Sequence, residues 1–137
     1  MKSHRFVRAA VVLLTLATLI ACNSSSGGAV VNPTPTGTIA LNLTPTSVSA
    51  VAGGTGSVGL SVSRGGGFDG AVVLTAAGVP AGVTLTFGSS TVLPGSFSTS
   101  VSVSVAAGTP AAASAVTIVG TGGGLTSPAV TLTLRTQ

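Results

Sequence analysis

The stretch FSTSVSVSV at 97–105 alternates without a break. Phe97, Thr99, Val101, Val103 and Val105 fall on one side of an extended chain, and Ser98, Ser100, Ser102 and Ser104 on the other. Successive side chains of a strand point to opposite faces, whereas a helix repeats every ~3.6 residues, so this stretch separates its valines from its serines only as a strand. The pattern predicts a half-buried strand, valine inward and serine toward water. The same period recurs in IALNL (39–43), SVSAV (47–51), SVGLSVS (57–63), AVVLTA (71–76), GVTLTF (82–87), AVTIVG (115–120) and AVTLTL (129–134). Between these runs stand TPTS, AGGTG, RGGGFDG, GVPAG, LPG, AGTPA and TGGG, rich in the Gly and Pro that favour turns. About seven or eight short strands at roughly ten-residue spacing predict an all-β, antiparallel β-sandwich. The alanine-rich AAGTPAAASA at 106–115 is broken as a helix by Gly108 and Pro110. Phe68, Phe87 and Phe97 are the three aromatics after the N-terminal segment and are expected in the core.

Charge separates the chain into two parts. The formal net charge is +4, but Lys2, Arg5, Arg8 and the single His4 all lie in the first eight residues. Beyond Ala21 only Arg64, Arg135 and Asp69 are charged, giving +2 − 1 = +1. Nucleic-acid binding rests on clustered Lys and Arg, and two separated arginines do not make such a cluster. General acid–base chemistry by paired carboxylates needs two acids, and this stretch has one. A serine nucleophile needs a base such as His or Lys, and neither occurs after residue 8. Asp69 alone cannot make a metal site. No catalytic, cofactor or metal residue is therefore assigned, no small-molecule substrate is evident, and the chain is not expected to be an enzyme.

Three glycine motifs read as turns or loops rather than as ligand sites. GTGSVG at 54–59 fits G-x-G-x-x-G, but a strand pattern follows where a dinucleotide site needs a helix, and Asp69 comes too soon. RGGG at 64–67 is a single arginine–glycine element in a loop. GTGGG at 120–124 has no phosphate-binding Lys and reads as a hairpin turn. Asp69, within RGGGFDG, is expected to shape that turn or to pair with Arg64.

The N-terminus runs MKSHRFVR, then AAVVLLTLATLIA, then Cys22, the only cysteine. This is a basic region, a short apolar region and a small residue before a cut. The apolar run at 9–21, as a helix, would reach roughly 20 Å, short of a hydrocarbon core of about 30 Å. Leu19-Ile20-Ala21-Cys22 resembles the lipobox of bacterial lipoproteins. The resemblance implies that Leu19, Ile20 and Ala21 form the signal-peptidase recognition sequence. It also implies that the Cys22 thiol takes a diacylglyceryl group and becomes the acylated N-terminus. More than one acyl chain gives a firm anchor, since each buried CH₂ contributes about 0.8 kcal/mol. Asn23 rather than Asp follows the cysteine, which on the family's sorting rule favours the outer membrane over the inner. The next residues, rich in Ser, Gly, Pro and Thr, read as a disordered linker with an end-to-end distance of about 20 to 25 Å.

FDGAVVL at 68–74, GVPAGVT at 78–84, Thr109-Pro110 and VTIVGT at 116–121 resemble a bacterial extracellular Ig-like repeat. That module carries an F-x-G-x-V-x-L strand, a G-L-P-A-G-V turn and a later T-P-x-G-x-Y stretch. Ala112 stands where the pattern prefers Gly, and Ser114 where it prefers Tyr, so a tyrosine-corner hydrogen bond is unavailable. The resemblance implies a non-catalytic Ig-like sandwich and supplies no binding residues.

The expected plan is a lipoprotein signal peptide at 1–21, a tether at 22–38 and one sandwich domain at 39–137. The expected role is that of a lipid-anchored protein of the bacterial cell envelope. Its domain would be a structural or protein-interaction module that meets a protein partner through an edge strand or loops. A self-associating adhesin or matrix component, and a soluble secreted β-domain, are the rival readings.

Overall fold

The computed structural model of the chain describes residues 34–137, and all described secondary structure is β. The strands are β1 (Thr38–Thr44), β2 (Ser47–Ala50), β3 (Thr55–Gly65), β4 (Val72–Ala77), β5 (Val83–Phe87), β6 (Thr91–Val92), β7 (Ser98–Val105), β8 (Ala112–Gly122), β9 (Leu125–Thr126) and β10 (Val130–Thr136). Eight of them are the eight alternating runs of the sequence. The other two, β6 and β9, are two residues long, too short to leave a periodic signal.

One sheet has the order β1-β3-β7-β5, the other β2-β10-β8-β4-β6 with β9 paired to β8. Taking β1, β3, β4, β5, β7, β8 and β10 as strands A to G, these are the ABED and GFC sheets of the immunoglobulin constant-type sandwich. The added strands β2 and β6 lie on the two edges of the second sheet.

Burial follows the period of two. Along β7 the pattern runs from exposed Ser98 to buried Val105, with Val101, Val103 and Val105 inside and Ser100, Ser102 and Ser104 outside. Its neighbour β3 repeats this, with Val58, Leu60 and Val62 buried between exposed serines and Gly59. The opposing sheet contributes Val72, Leu74, Val116, Ile118, Leu132 and Leu134. The interior is therefore almost wholly aliphatic, built from β-branched and leucine side chains that suit pleated surfaces.

Two features depart from the expected arrangement. TPTS does not reverse the chain. After Thr44 the chain leaves the first sheet at Pro45, through a cis Thr44–Pro45 bond, and continues in the same direction in the second. Hence β2 pairs parallel with β10, Ser47 opposite Thr133, while every other pair is antiparallel. Pro45 has no N–H to continue the β1 ladder, which is a physical reason for the switch to fall there.

The second departure is Phe97, which is 66% exposed, whereas Phe68 and Phe87 pack against the core. Phe97 has the phase of the inward face but stands one residue before β7. Period two assigns a face and not a depth. Phe97 belongs to the loop before β7, and its ring is exposed although Val62, whose N–H its carbonyl accepts, is buried.

Gly120 is one place where a side chain would crowd both its own sheet and the facing one. A Cβ built there would lie 2.8 Å from Val72 Cγ1 and 3.3 Å from Leu41 Cδ2 of the facing sheet. Gly120→Ala is expected to destabilise the domain by about 1 to 3 kcal/mol through overpacking, read from urea denaturation midpoints. A neutral or stabilising result would contradict the tight packing at this position.

Candidate functional site

The strand registers put three connections at one end of the sandwich. Thr38 pairs with Gly65, Val72 with Val92 and Gly122 with Leu125, so the segments 66–71, 93–97 and 123–124 share that end with the start of β1. At the opposite end, Ala52 N donates to Gln137 O, Gly53 N to Val105 O and Ala106 N to Gly82 O. This gathers 51–54, 78–82, 106–111 and the C-terminal residue.

Arg64 organises the first end. Its Nε donates to Gly70 O at 2.9 Å, Nη1 to Ser96 O at 2.6 Å, and Nη2 to Val92 O at 2.7 Å and Leu93 O at 3.0 Å. The pairing expected with Asp69 is not what the guanidinium does; Asp69 is exposed. A planar guanidinium with a fixed fork of donors suits several carbonyls converging from two loops, which a single ammonium would not satisfy equally. The turn it holds is closed by Ser96 N donating to Leu93 O at 3.0 Å, and Val62 N donates to Phe97 O at 2.8 Å. Leu93 and Phe97, 61% and 66% exposed, thus project from a tied loop.

Phe68 fills a cradle of glycines beside this clamp. Cβ atoms built at Gly70, Gly122 and Gly123 would lie 2.7, 3.0 and 2.7 Å from the Phe68 ring, and one at Gly37 would lie 2.5 Å from Phe68 Cβ. This accounts for the Phe-Asp-Gly of the first motif: the ring can lie flat only where its neighbours carry no side chain. Gly123 and Gly124, both with positive φ, form the two-residue loop of the β8–β9 hairpin, as the GTGGG reading expected. Of GTGSVG, Gly54 closes a turn by donating to Val51 O, and Thr55 to Gly59 lie within β3.

The other end holds a hollow of about 190 Å³ lined by Pro80, Ala81, Val83, Pro110, Ser114 and Thr136, among others. Ser114 is the position at which the resembled module prefers Tyr, and its short side chain leaves this space open. Threonines supply the hydrogen bonds of the corner. Thr109 Oγ1 donates to Ala106 O at 2.8 Å, Thr136 Oγ1 donates to Pro110 O at 2.8 Å, and Ala112 N donates to Thr136 Oγ1 at 2.7 Å. Sequence reasoning did not single out this hollow or the Arg64 clamp. Among the described residues every buried side-chain polar atom has a hydrogen-bond partner, and no group of three or more His, Cys, Asp or Glu comes together. Leu19, Ile20, Ala21 and Cys22 lie outside the described residues.

No family model matches the chain, and no curated protein does. Among solved structures the fold is similar to that of the S-layer protein SbsC. A long crystal structure of that protein aligns with a TM-score of 0.53 at 16% identity, over 74% of this chain and 13% of that one. Its domains 4 and 5 align with a TM-score of 0.52 at 16% identity, over 73% of this chain and 53% of that one. Its domains 1–6 give 0.52 and 16%, over 73% and 13%. The chain therefore spans much less than the length of these proteins, and the likeness is one of fold.

Proposed function

We propose that this chain is a lipid-anchored cell-envelope protein whose Ig-like sandwich is a non-catalytic structural or protein-interaction module. The observation that supports the structural role is the fold shared with domains of a surface-layer protein over nearly three quarters of the chain. Anchoring is supported by Leu19-Ile20-Ala21 before the single Cys22, and by the Ser/Gly-rich stretch that follows. The supply of residues points the same way: one acid, two arginines and no Lys or His after residue 8, with Arg64 committed to backbone carbonyls.

The domain plan is a signal peptide at 1–21, a tether at 22–38 and the sandwich at 39–137. Placement in the outer membrane rests on Asn23 after the cysteine. Self-association as an adhesin or matrix component is the second reading, favoured by the edge strands β1 (TIALNLT) and β5 (VTLTF), which carry no charge to deter pairing.

Cys22→Ala tests the anchor. The variant is expected to carry no acyl chain and to retain an uncut leader of 21 residues, because lipidation precedes cleavage in the resembled pathway. Unchanged processing and membrane partition would overturn the lipoprotein reading, and release of normally cut protein would support a soluble secreted domain.

A further inference from the structure

We infer that the end of the sandwich that carries Leu93 and Phe97 seats on the lipid surface to which the chain is tethered. This deepens the anchored reading, on which it rests, by adding a surface of the folded domain to the acyl chains of Cys22.

Phe97 and Leu93 are the most exposed large apolar side chains of the described domain. Both stand in the 93–97 connection, at the end where β1 begins. That connection is held rather than loose, since Arg64 donates to Val92 O, Leu93 O and Ser96 O, and Val62 N donates to Phe97 O. A loop already ordered loses little freedom on binding. Phenylalanine and leucine are among the side chains that enter the boundary between lipid headgroups and acyl chains. The loops beside them expose glycine at 66–67 and 123–124, so no long polar side chain at those positions holds a surface away. The end carries one cation and one anion, Arg64 and Asp69, and the guanidinium is taken up by four carbonyls. The contact is therefore apolar rather than electrostatic, and a shallow one leaves the exposed Asp69 among hydrated headgroups.

The route of the chain selects lipid as the occupant. The described residues begin at this same end. A Cβ built at Gly124 would lie 3.5 Å from Pro35 Cγ, and Thr38 pairs with Gly65. Thr38 stands 16 positions after Cys22. A Ser/Gly-rich chain of that length has an end-to-end distance of about 20 to 25 Å. The opposite end lies about 35 Å further on, the rise of the 11 residues of β3. A lipid on Cys22 thus keeps the Leu93 and Phe97 end within reach of the bilayer and the end with Val51 and Val79 away from it. Two apolar side chains hold a bilayer weakly by themselves. The anchor raises their effective concentration at the surface and turns a weak contact into an occupied one.

The chain has no tryptophan and no tyrosine, so one introduced tryptophan reports its own surroundings. Phe97→Trp and Val51→Trp place it at the two ends. Each variant is studied in two preparations. One is the mature protein extracted from membranes and reconstituted in phosphatidylcholine vesicles that contain brominated phosphatidylcholine. The other is residues 22–137, which keep every described residue, joined through the Cys22 thiol to a maleimide phospholipid in the same vesicles. Flotation measures attachment, and quenching by bromine measures contact with the acyl region. Quenching at Phe97→Trp is expected to exceed that at Val51→Trp by at least about threefold in both preparations, at low and high salt alike. Leu93→Ser added to Phe97→Trp should lower it by about twofold or more. The thermal transition should stay unchanged, because the Leu93 side chain is exposed and its hydrogen bonds are made by the backbone. Equal quenching at the two ends, stronger quenching at Val51→Trp, or quenching that needs anionic lipid would overturn the contact while flotation upholds the anchor. Quenching in the coupled preparation, with extracted protein that does not float, would support the contact and overturn lipid attachment in the cell.

Discussion

Leu132→Ala is expected to destabilise the domain by about 2 to 5 kcal/mol, the range for leucine truncated in a packed core. Leu132 is fully buried on β10, between β2 and β8 in the second sheet. It faces an interior of aliphatic side chains with no tryptophan or tyrosine to close over a void. Such small, stiff, β-branched neighbours relax poorly, so the cavity is expected to persist and place the cost in the upper part of that range. Phe97→Ala removes more atoms but should change stability by no more than about 0.5 kcal/mol, since the ring is already in water. Urea denaturation of both variants measures the contrast. A Phe97 cost above that of Leu132 would contradict the position assigned to each.

Arg64→Met is expected to cost about 2 to 4 kcal/mol. Methionine keeps an apolar stem and removes the donors. Hydrogen bonds to a charged group contribute about 1.5 to 3 kcal/mol each. The bonds to Gly70 O and Val92 O are partly buried, while those to Ser96 O and Leu93 O lie at the surface, where water takes the place of the guanidinium. The two part-buried bonds set an upper range of about 3 to 6 kcal/mol, which their partial exposure to water lowers to about 2 to 4. Amide hydrogen exchange should speed up at Ser96, whose N–H closes the turn, and remain slow at Val101 in the middle of β7. A loss below about 1 kcal/mol with unchanged exchange at Ser96 would contradict the clamp.

The strands were legible because each buries one face against an opposing sheet, and the alternation of Val or Leu with Ser or Thr records this residue by residue. Their two-sheet arrangement was legible as a class, since many short half-buried strands must cover one another. What escaped the sequence depends on distance in space. Phe97 carries the inward phase yet stands outside β7, in the loop that Arg64 holds. Pro45 marks a break in β1 without saying that the chain crosses to the other sheet and runs on in parallel. The nearest acid to Arg64 in sequence is Asp69, but the fold brings the guanidinium to carbonyls from 28 to 32 residues away. The hollow arises from Pro80, Pro110 and Thr136, three positions with no local pattern in common. Ser114 was the one visible signal, as the short residue standing where the resembled module prefers a ring.

The proposed role turns on Cys22, because an anchored domain and a free one act in different places. Intact mass spectrometry of the protein extracted from membranes, followed by its N-terminal peptide, tests this most directly. The account predicts a chain that begins at Cys22 and carries acyl chains on that residue. A chain that retains residues 1–21, or one cut elsewhere with an unmodified Cys22 thiol, would contradict it.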